Sequence, residues 1–204
     1  MSHVMAVLIS LLWIAEAQAQ VHTESVEYIH EEAVLEGYLA YDNSISGQRP
    51  GVLVVHEWKG LNDYAKRRAE QLAKLGYVAF AVDMYGKGVR AQDHEEAAKL
   101  SGVYRHDRQL MRGRIQAALD VLRRHDRGDP ARIAAIGYCF GGMTVLELVR
   151  SGATISGVVS FHGGLDTPIP AAAGQVHARI LVLHGANDPW VTQEQVAAFE
   201  QEMQ

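Results

Sequence analysis

Apolar and polar positions along this chain run in two rhythms that take turns. Residues 26–29 and 33–41 alternate in the manner of an opening hairpin, and residues 42–50 form a turn-rich connection. Residues 51–56 (GVLVVH) are a short unbroken apolar run, the pattern of a strand buried on both faces. Helical periodicity takes over at residues 62–75 and stops at Gly76, a residue suited to a helix C-terminus. Residues 78–82 predict the next strand, which ends at Asp83. Residues 94–104 and 108–125 predict two helices, the second charged on one face and broken by Gly128-Asp129-Pro130. Residues 132–136 predict a strand, 140–150 a helix, and 155–160 and 179–184 two further strands. Thr192 opens a last helix as its N-cap, and the chain reaches Gln204 inside it. Strict alternation of strand and helix predicts an α/β fold, a mostly parallel sheet with helices on both faces. No repeat, low-complexity tract or linker divides it. Such sheets bind ligands at the carboxyl ends of their strands, so the residues just after each strand carry the chemistry to be read.

The first twenty residues follow neither rhythm. Residues 4–15 are almost wholly apolar, too short a run to span a bilayer, and Ala17-Gln18-Ala19 has the small-x-small pattern of a signal peptidase site. The stretch before the run offers only His3 in place of Lys or Arg. The expectation is a signal peptide over residues 1–19, one domain over residues 20–204, a periplasmic or secreted location, and no membrane span once the leader is removed; the alternative is a hydrophobic N-terminal helix that stays on a cytoplasmic protein. With 204 residues, 48% of them hydrophobic, the chain suits one well-buried domain. Its 19 basic and 24 acidic residues are mixed, and without a basic stripe nucleic acid is not an expected partner. Ten histidines are scattered without the spacing of a metal site, so no metal is expected. Cys139 is the only cysteine, which excludes a disulfide within the chain.

By composition alone a lone cysteine is a small buried hydrophobe. Its surroundings change that. Gly137-Tyr138-Cys139-Phe140-Gly141-Gly142 lies between a predicted strand and a predicted helix, and reads G-x-C-x-G, the nucleophile-elbow pattern with cysteine as nucleophile. The nucleophile of such an elbow sits on a turn so sharp that side chains at Gly137 and Gly141 would collide with the neighbouring strand and helix. Cys139 then stands at a helix N-terminus, which favours a thiolate, and the Phe140 amide faces the same space as a donor for an oxyanion. Asp188 follows the last strand, where it either serves as the acid of a triad or caps a turn before Pro189. Glu57 follows the strand at 51–56, and spacing alone leaves it either a pocket carboxylate or a salt-bridge partner.

With His56-Glu57-Trp58-Lys59-Gly60, Asp83-Met84-Tyr85-Gly86, the cysteine elbow and Gly185-Ala186-Asn187-Asp188 in this order, the chain resembles the dienelactone hydrolase family over residues 24–204. The resemblance implies an α/β-hydrolase fold and hydrolysis of a small ester or lactone through an acyl-cysteine intermediate, and it implies no cofactor. It makes Cys139 the nucleophile and Asp188 the residue that orients a histidine. It makes Glu57 the carboxylate that contacts the thiol and takes its proton when substrate binds. The amides of Trp58 and Phe140 become the oxyanion hole. His94 stands where one of the family's carboxylate-binding arginines is sought, with Arg90 out of register. Together with Trp58, Tyr85, Phe140 and Trp190 as candidate pocket aromatics, this favours a more apolar ester.

In this fold the triad order is nucleophile, acid, histidine. No histidine lies between Pro189 and Gln204. The expectation is a chain that stops short of the final strand, the histidine loop and the closing helix, roughly 30 to 40 residues by ordinary element lengths. His162, His56 and His184 stand at other strand ends, and His162 is the substitute base or pocket residue nearest the catalytic edge. Two further classes stay open: a catalytically silent binding protein of this fold, and a thiol redox sensor acting through Cys139.

Overall fold

The computed structural model describes residues 20–204, so the expected leader at 1–19 lies outside the described residues. Two antiparallel strands, β1 (Val21–His30) and β2 (Ala33–Asp42), open the chain. There follow β3 (Arg49–Val55), α1 (Asp63–Lys74), β4 (Val78–Val82), α2 (His94–His106), α3 (Arg108–Arg124) and β5 (Gly128–Tyr138). The remainder is α4 (Phe140–Arg150), β6 (Gly157–Phe161), β7 (Arg179–Leu183) and α5 (Gln193–Glu202). The strands form one seven-stranded sheet in the order β1-β2-β4-β3-β5-β6-β7, parallel from β4 through β7.

The buried strands lie where the apolar runs place them. Val52 to Val55 and all of β4 are buried because the sheet is covered on both faces. On one face α1 presents Ala65, Ala69 and Ala73, small residues that let the helix lie close to Ala79 and Ala81. Its start is capped by the Asn62 side chain, which accepts from the Ala65 amide, and Gly76 follows its end at φ 93°. On the other face Met111, Ile115, Leu119 and Leu122 of α3 pack with the wholly buried α4.

Most boundaries shift by one or two residues from the sequence pattern, and three differences have a plain physical reason. β1 begins at Val21, not 26, because an edge strand paired along its full length to β2 needs no apolar residues at its exposed positions. β5 begins at Gly128, where a helix breaker alone was expected. Arg49 pairs with Gly128 and Pro50 with Asp129, and the register then jumps to Gly51 with Ile133. Pro130 is tolerated there because the irregularity frees its position from the ladder. The last helix ends at Glu202 with Met203 as its C-cap, so the chain reaches Gln204 just beyond it and not inside it.

An ionic cluster joins three helices behind the sheet. Glu147 of α4 accepts from Arg112 Nε of α3 at 2.8 Å and from Arg150 at 3.2 Å, while Arg150 donates to Glu202 of α5 at 2.7 Å. Each charge has a partner, as burial requires.

Candidate active site

The parallel register fixes which residues meet at the carboxyl edge. Tyr138 pairs with Phe161, and Phe161 with Leu183, so Cys139, His162 and His184 leave three adjacent strands side by side. The Cys139 amide donates to the Phe161 carbonyl at 2.8 Å, and the His162 amide to the Leu183 carbonyl at 2.8 Å. On the other side of β5, Val55 pairs with Gly137, so Glu57 leaves β3 at the same height.

Cys139 itself has φ 53° and ψ −110°, a strained conformation for a residue with a side chain. The turn is held because its neighbours are glycines. A Cβ on Gly137 would lie 2.0 Å from the Gly141 carbonyl oxygen, and one on Gly141 would lie 2.4 Å from that of Val55. Only bare backbone fits. The turn leaves the thiol half-buried at the N-terminus of α4. Burial pushes the Cys139 thiol up; the Phe140 amide and the charge of Arg105 pull against this, and the carboxylates of Glu57 and Asp188 add to the rise. The thiol therefore rests protonated near neutral pH.

Asp188 sits beside this turn with a buried carboxylate. Its Oδ1 accepts from the Trp190 amide at 2.8 Å, and that bond leads the effects holding its pKa below the usual range. Its Oδ2 is buried without an aligned donor. Two imidazoles approach it: His162 Nε2 at 3.0 Å and His184 Nδ1 at 3.8 Å. An ionised oxygen facing imidazoles is the arrangement that orients a histidine. His162 has φ 56°, so its turn, like that of Cys139, is held in a sparsely populated conformation.

The remaining residues singled out from sequence lie around this edge. Glu57 is exposed and contributes its field to the thiol. Trp58 is half-buried, its ring 5.3 Å from that of His94. Tyr85 is buried; its hydroxyl donates to the Trp58 carbonyl at 2.9 Å and its ring packs on His56, Tyr104 and Phe140. Trp190 is 80% exposed and stands clear of packing. One feature had no mark in the sequence pattern: the charge of Arg105, at the end of α2, acts on the Cys139 thiol. His162, the substitute base that the sequence offers near the catalytic edge, is brought to Asp188 by strand register. Among the described residues, no group of three or more His, Cys, Asp or Glu side chains is placed to hold a metal, and no helix is long and apolar enough to cross a membrane.

A parallel sheet whose central strand turns through a strained cysteine into a buried helix, with an acid after a later strand, has the α/β-hydrolase fold. Residues 35–204 match the model of the dienelactone hydrolase family. The chain belongs to the dienelactone hydrolase family. It is 29% identical over 171 residues to the "Probable 2-oxo-3-(5-oxofuran-2-ylidene)propanoate lactonase" of Bradyrhizobium sp., covering 78% of this chain and 68% of that protein. A solved dienelactone hydrolase-like promiscuous phosphotriesterase from metagenomic libraries is 41% identical with a TM-score of 0.83, over 90% of this chain and 76% of that one. The structure named m3DLH is 40% identical with a TM-score of 0.84, over 89% of this chain and 76% of that one.

Proposed function

We propose that this hydrolase cleaves a small carboxylic ester or lactone through an acyl-cysteine intermediate. The observation that carries the reading is the strained Cys139 turn at the N-terminus of α4, with the ionised Asp188 beside it. In this reaction the Cys139 thiol loses its proton to Glu57 as substrate enters, and the sulfur attacks the carbonyl carbon. The amides of Phe140 and Trp58 receive the developing oxyanion. Collapse expels the alcohol, or opens the lactone ring, as the proton held by Glu57 passes to the leaving oxygen. Water then attacks the thioester with help from an imidazole that Asp188 orients, releasing the acid and the free thiol. Half-exposed Trp58 and exposed Trp190 offer an apolar rim for the acyl or alcohol part. The resting protonated thiol keeps the nucleophile quiet until substrate arrives.

The test is a panel of activated esters and lactones followed on the millisecond scale. A burst of alcohol product approaching one equivalent per chain, then a slower steady rate, is expected. A phosphotriester belongs in the panel because one structural neighbour is named for that activity. No burst and no turnover with any carboxylic ester would refute the reading.

One contact favours a particular base. His162 Nε2 lies 3.0 Å from Asp188 Oδ2, the shorter of the two imidazole approaches. His162→Gln is expected to lower kcat by about 10²- to 10⁴-fold, the range for loss of a general base, with KM falling alongside it because the slowed step is the loss of the accumulated acyl group. A loss below about ten-fold would assign His162 to the pocket wall.

Glu57 gives a prediction with two opposite signs. Its charge helps hold the Cys139 pKa up, so Glu57→Gln lowers that pKa. The pH at half-maximal alkylation by iodoacetamide should then fall, by less than about one pH unit, and alkylation at neutral pH should quicken. Ester turnover should drop in the same variant, because the acceptor of the thiol proton is gone. Identical alkylation profiles in the two proteins would leave Glu57 a surface carboxylate.

A further inference from the structure

His56 is a buried imidazole at the end of β3 that the reaction above does not use, and its hydrogen bonds define its state. Nε2 lies 3.3 Å from the Met84 amide, a donor, so Nε2 accepts. Nδ1 lies 2.5 Å from the Glu57 carbonyl, an acceptor, so Nδ1 must carry the proton. One neutral tautomer satisfies both bonds. Burial pushes the ring's pKa down to about 4, so the same state holds across neutral pH. The ring stacks on Phe140 at 5.9 Å and meets Tyr85 edge-on at 5.0 Å, which locks its plane.

The bond to the Glu57 carbonyl has a consequence at the next atom. A trans peptide sets its N–H opposite its C=O. With the Glu57 carbonyl turned in toward His56, the Trp58 N–H is turned to the opposite side of that peptide. Among the described residues no backbone or side-chain acceptor takes up that N–H. The next carbonyl, that of Trp58, is held by the Tyr85 hydroxyl. The Glu57 carbonyl is thus held by the His56 ring and, at a longer 3.4 Å, by the Gly60 amide, and the Trp58 carbonyl by the Tyr85 hydroxyl, while the Trp58 donor is left free. The same imidazole stacks on Phe140, whose amide is the second donor.

We propose that His56 is a positioning residue that builds the oxyanion hole: its Nδ1–H fixes the Glu57–Trp58 peptide so that the Trp58 amide points at the oxygen of the reacting carbonyl. The inference rests on the reading of Cys139 as nucleophile. Its value lies in preorganisation, since a donor held in place before reaction needs no reorientation as charge develops. A misaligned donor is felt in the transition state more than in substrate binding, so kcat falls and KM does not.

Two amide substitutions separate this role from packing. In His56→Asn the side-chain nitrogen falls where Nδ1 was, so the donor to Glu57 is kept. In His56→Gln the amide falls where Nε2 was, so an acceptor for Met84 is kept and the donor to Glu57 is lost. Turnover of an activated ester is expected to fall at least ten-fold in kcat in His56→Gln, within the cost of losing one oxyanion donor, about 10²- to 10³-fold. KM should stay within about two-fold, and His56→Asn should retain kcat within about three-fold. Equal losses in the two variants, or none in either, overturn the proposal. Amide exchange at Trp58, followed by NMR, reads the same claim without catalysis. It should quicken at least ten-fold in His56→Gln and stay near the unsubstituted rate in His56→Asn. Equal exchange in all three proteins overturns the proposal as well. If the unsubstituted protein gives no ester burst, the hydrolase reading falls, and this exchange pattern still decides the role of His56. Should His56→Gln fail to fold, nitrogen NMR of the unsubstituted protein decides: a protonated Nδ1 and bare Nε2 between about pH 5 and pH 8 support the assignment, and the opposite tautomer ends it.

Discussion

Cys139→Ala should lower ester turnover by roughly 10⁴-fold or more, the scale on which loss of a nucleophile acts when nothing else can form the covalent intermediate. The fold should not notice. Alanine keeps the Cβ, so it meets the same backbone strain at φ 53° that cysteine already bears, and the thiol it removes is only half-buried. The melting temperature should therefore move by no more than a few degrees. Cys139→Ser is expected to be a poor substitute, because a hydroxyl needs a stronger base than a thiol does. Turnover that survives Cys139→Ala in protein freed of contaminating serine hydrolases would mean that the elbow carries some other chemistry.

The second large effect is on stability. Glu147 is fully buried between two guanidiniums, with Arg112 at 2.8 Å and Arg150 at 3.2 Å. Among the described residues, Glu147→Ala removes the only carboxylate that Arg112 pairs with and leaves Glu202 as the carboxylate partner of Arg150. Stranding a buried charge costs about 3 to 5 kcal/mol, more than the cavity left by the shortened side chain. For a domain of this size that is a fall of roughly 10 °C in Tm. Urea unfolding should show the same loss in midpoint. The rate of Cys139 alkylation in the still-folded protein should be unchanged, because the cluster lies on the far turns of α4. A Tm within 2 °C of the unsubstituted protein would mean that Arg112 finds another partner or water.

The sheet's interior was legible from the sequence because burial on both faces leaves only apolar residues. β4 and α4 begin and end at the residues where the pattern puts them. The first five residues of β1 were not legible, since an edge strand paired through its backbone carries Thr23, Glu24 and Ser25 toward solvent. Gly128-Asp129-Pro130 read as a helix breaker and is also the irregular start of β5, a dual use that composition cannot separate. At the site, the elbow was legible because its geometry admits glycine alone at Gly137 and Gly141, and that requirement is written in the residues. The company of Asp188 was not. His162 and Asp188 are 26 positions apart in sequence and meet only through the pairing of β6 with β7. The bond from the Met84 amide to His56 likewise joins the ends of β3 and β4, which no local pattern records. The charge of Arg105 acts on the thiol from the end of α2, which is likewise a tertiary effect.

The central claim is that Cys139 forms a covalent acyl intermediate, and the most direct measurement is to find the acyl group. The protein is mixed with an activated acetate ester, quenched in acid within the burst, digested and mapped by mass spectrometry. The account predicts one acetyl group, carried on the peptide that holds Cys139, sensitive to hydroxylamine and absent from Cys139→Ala. An acetyl group on another residue during productive turnover, or turnover with Cys139 unmodified at every time point, would contradict it.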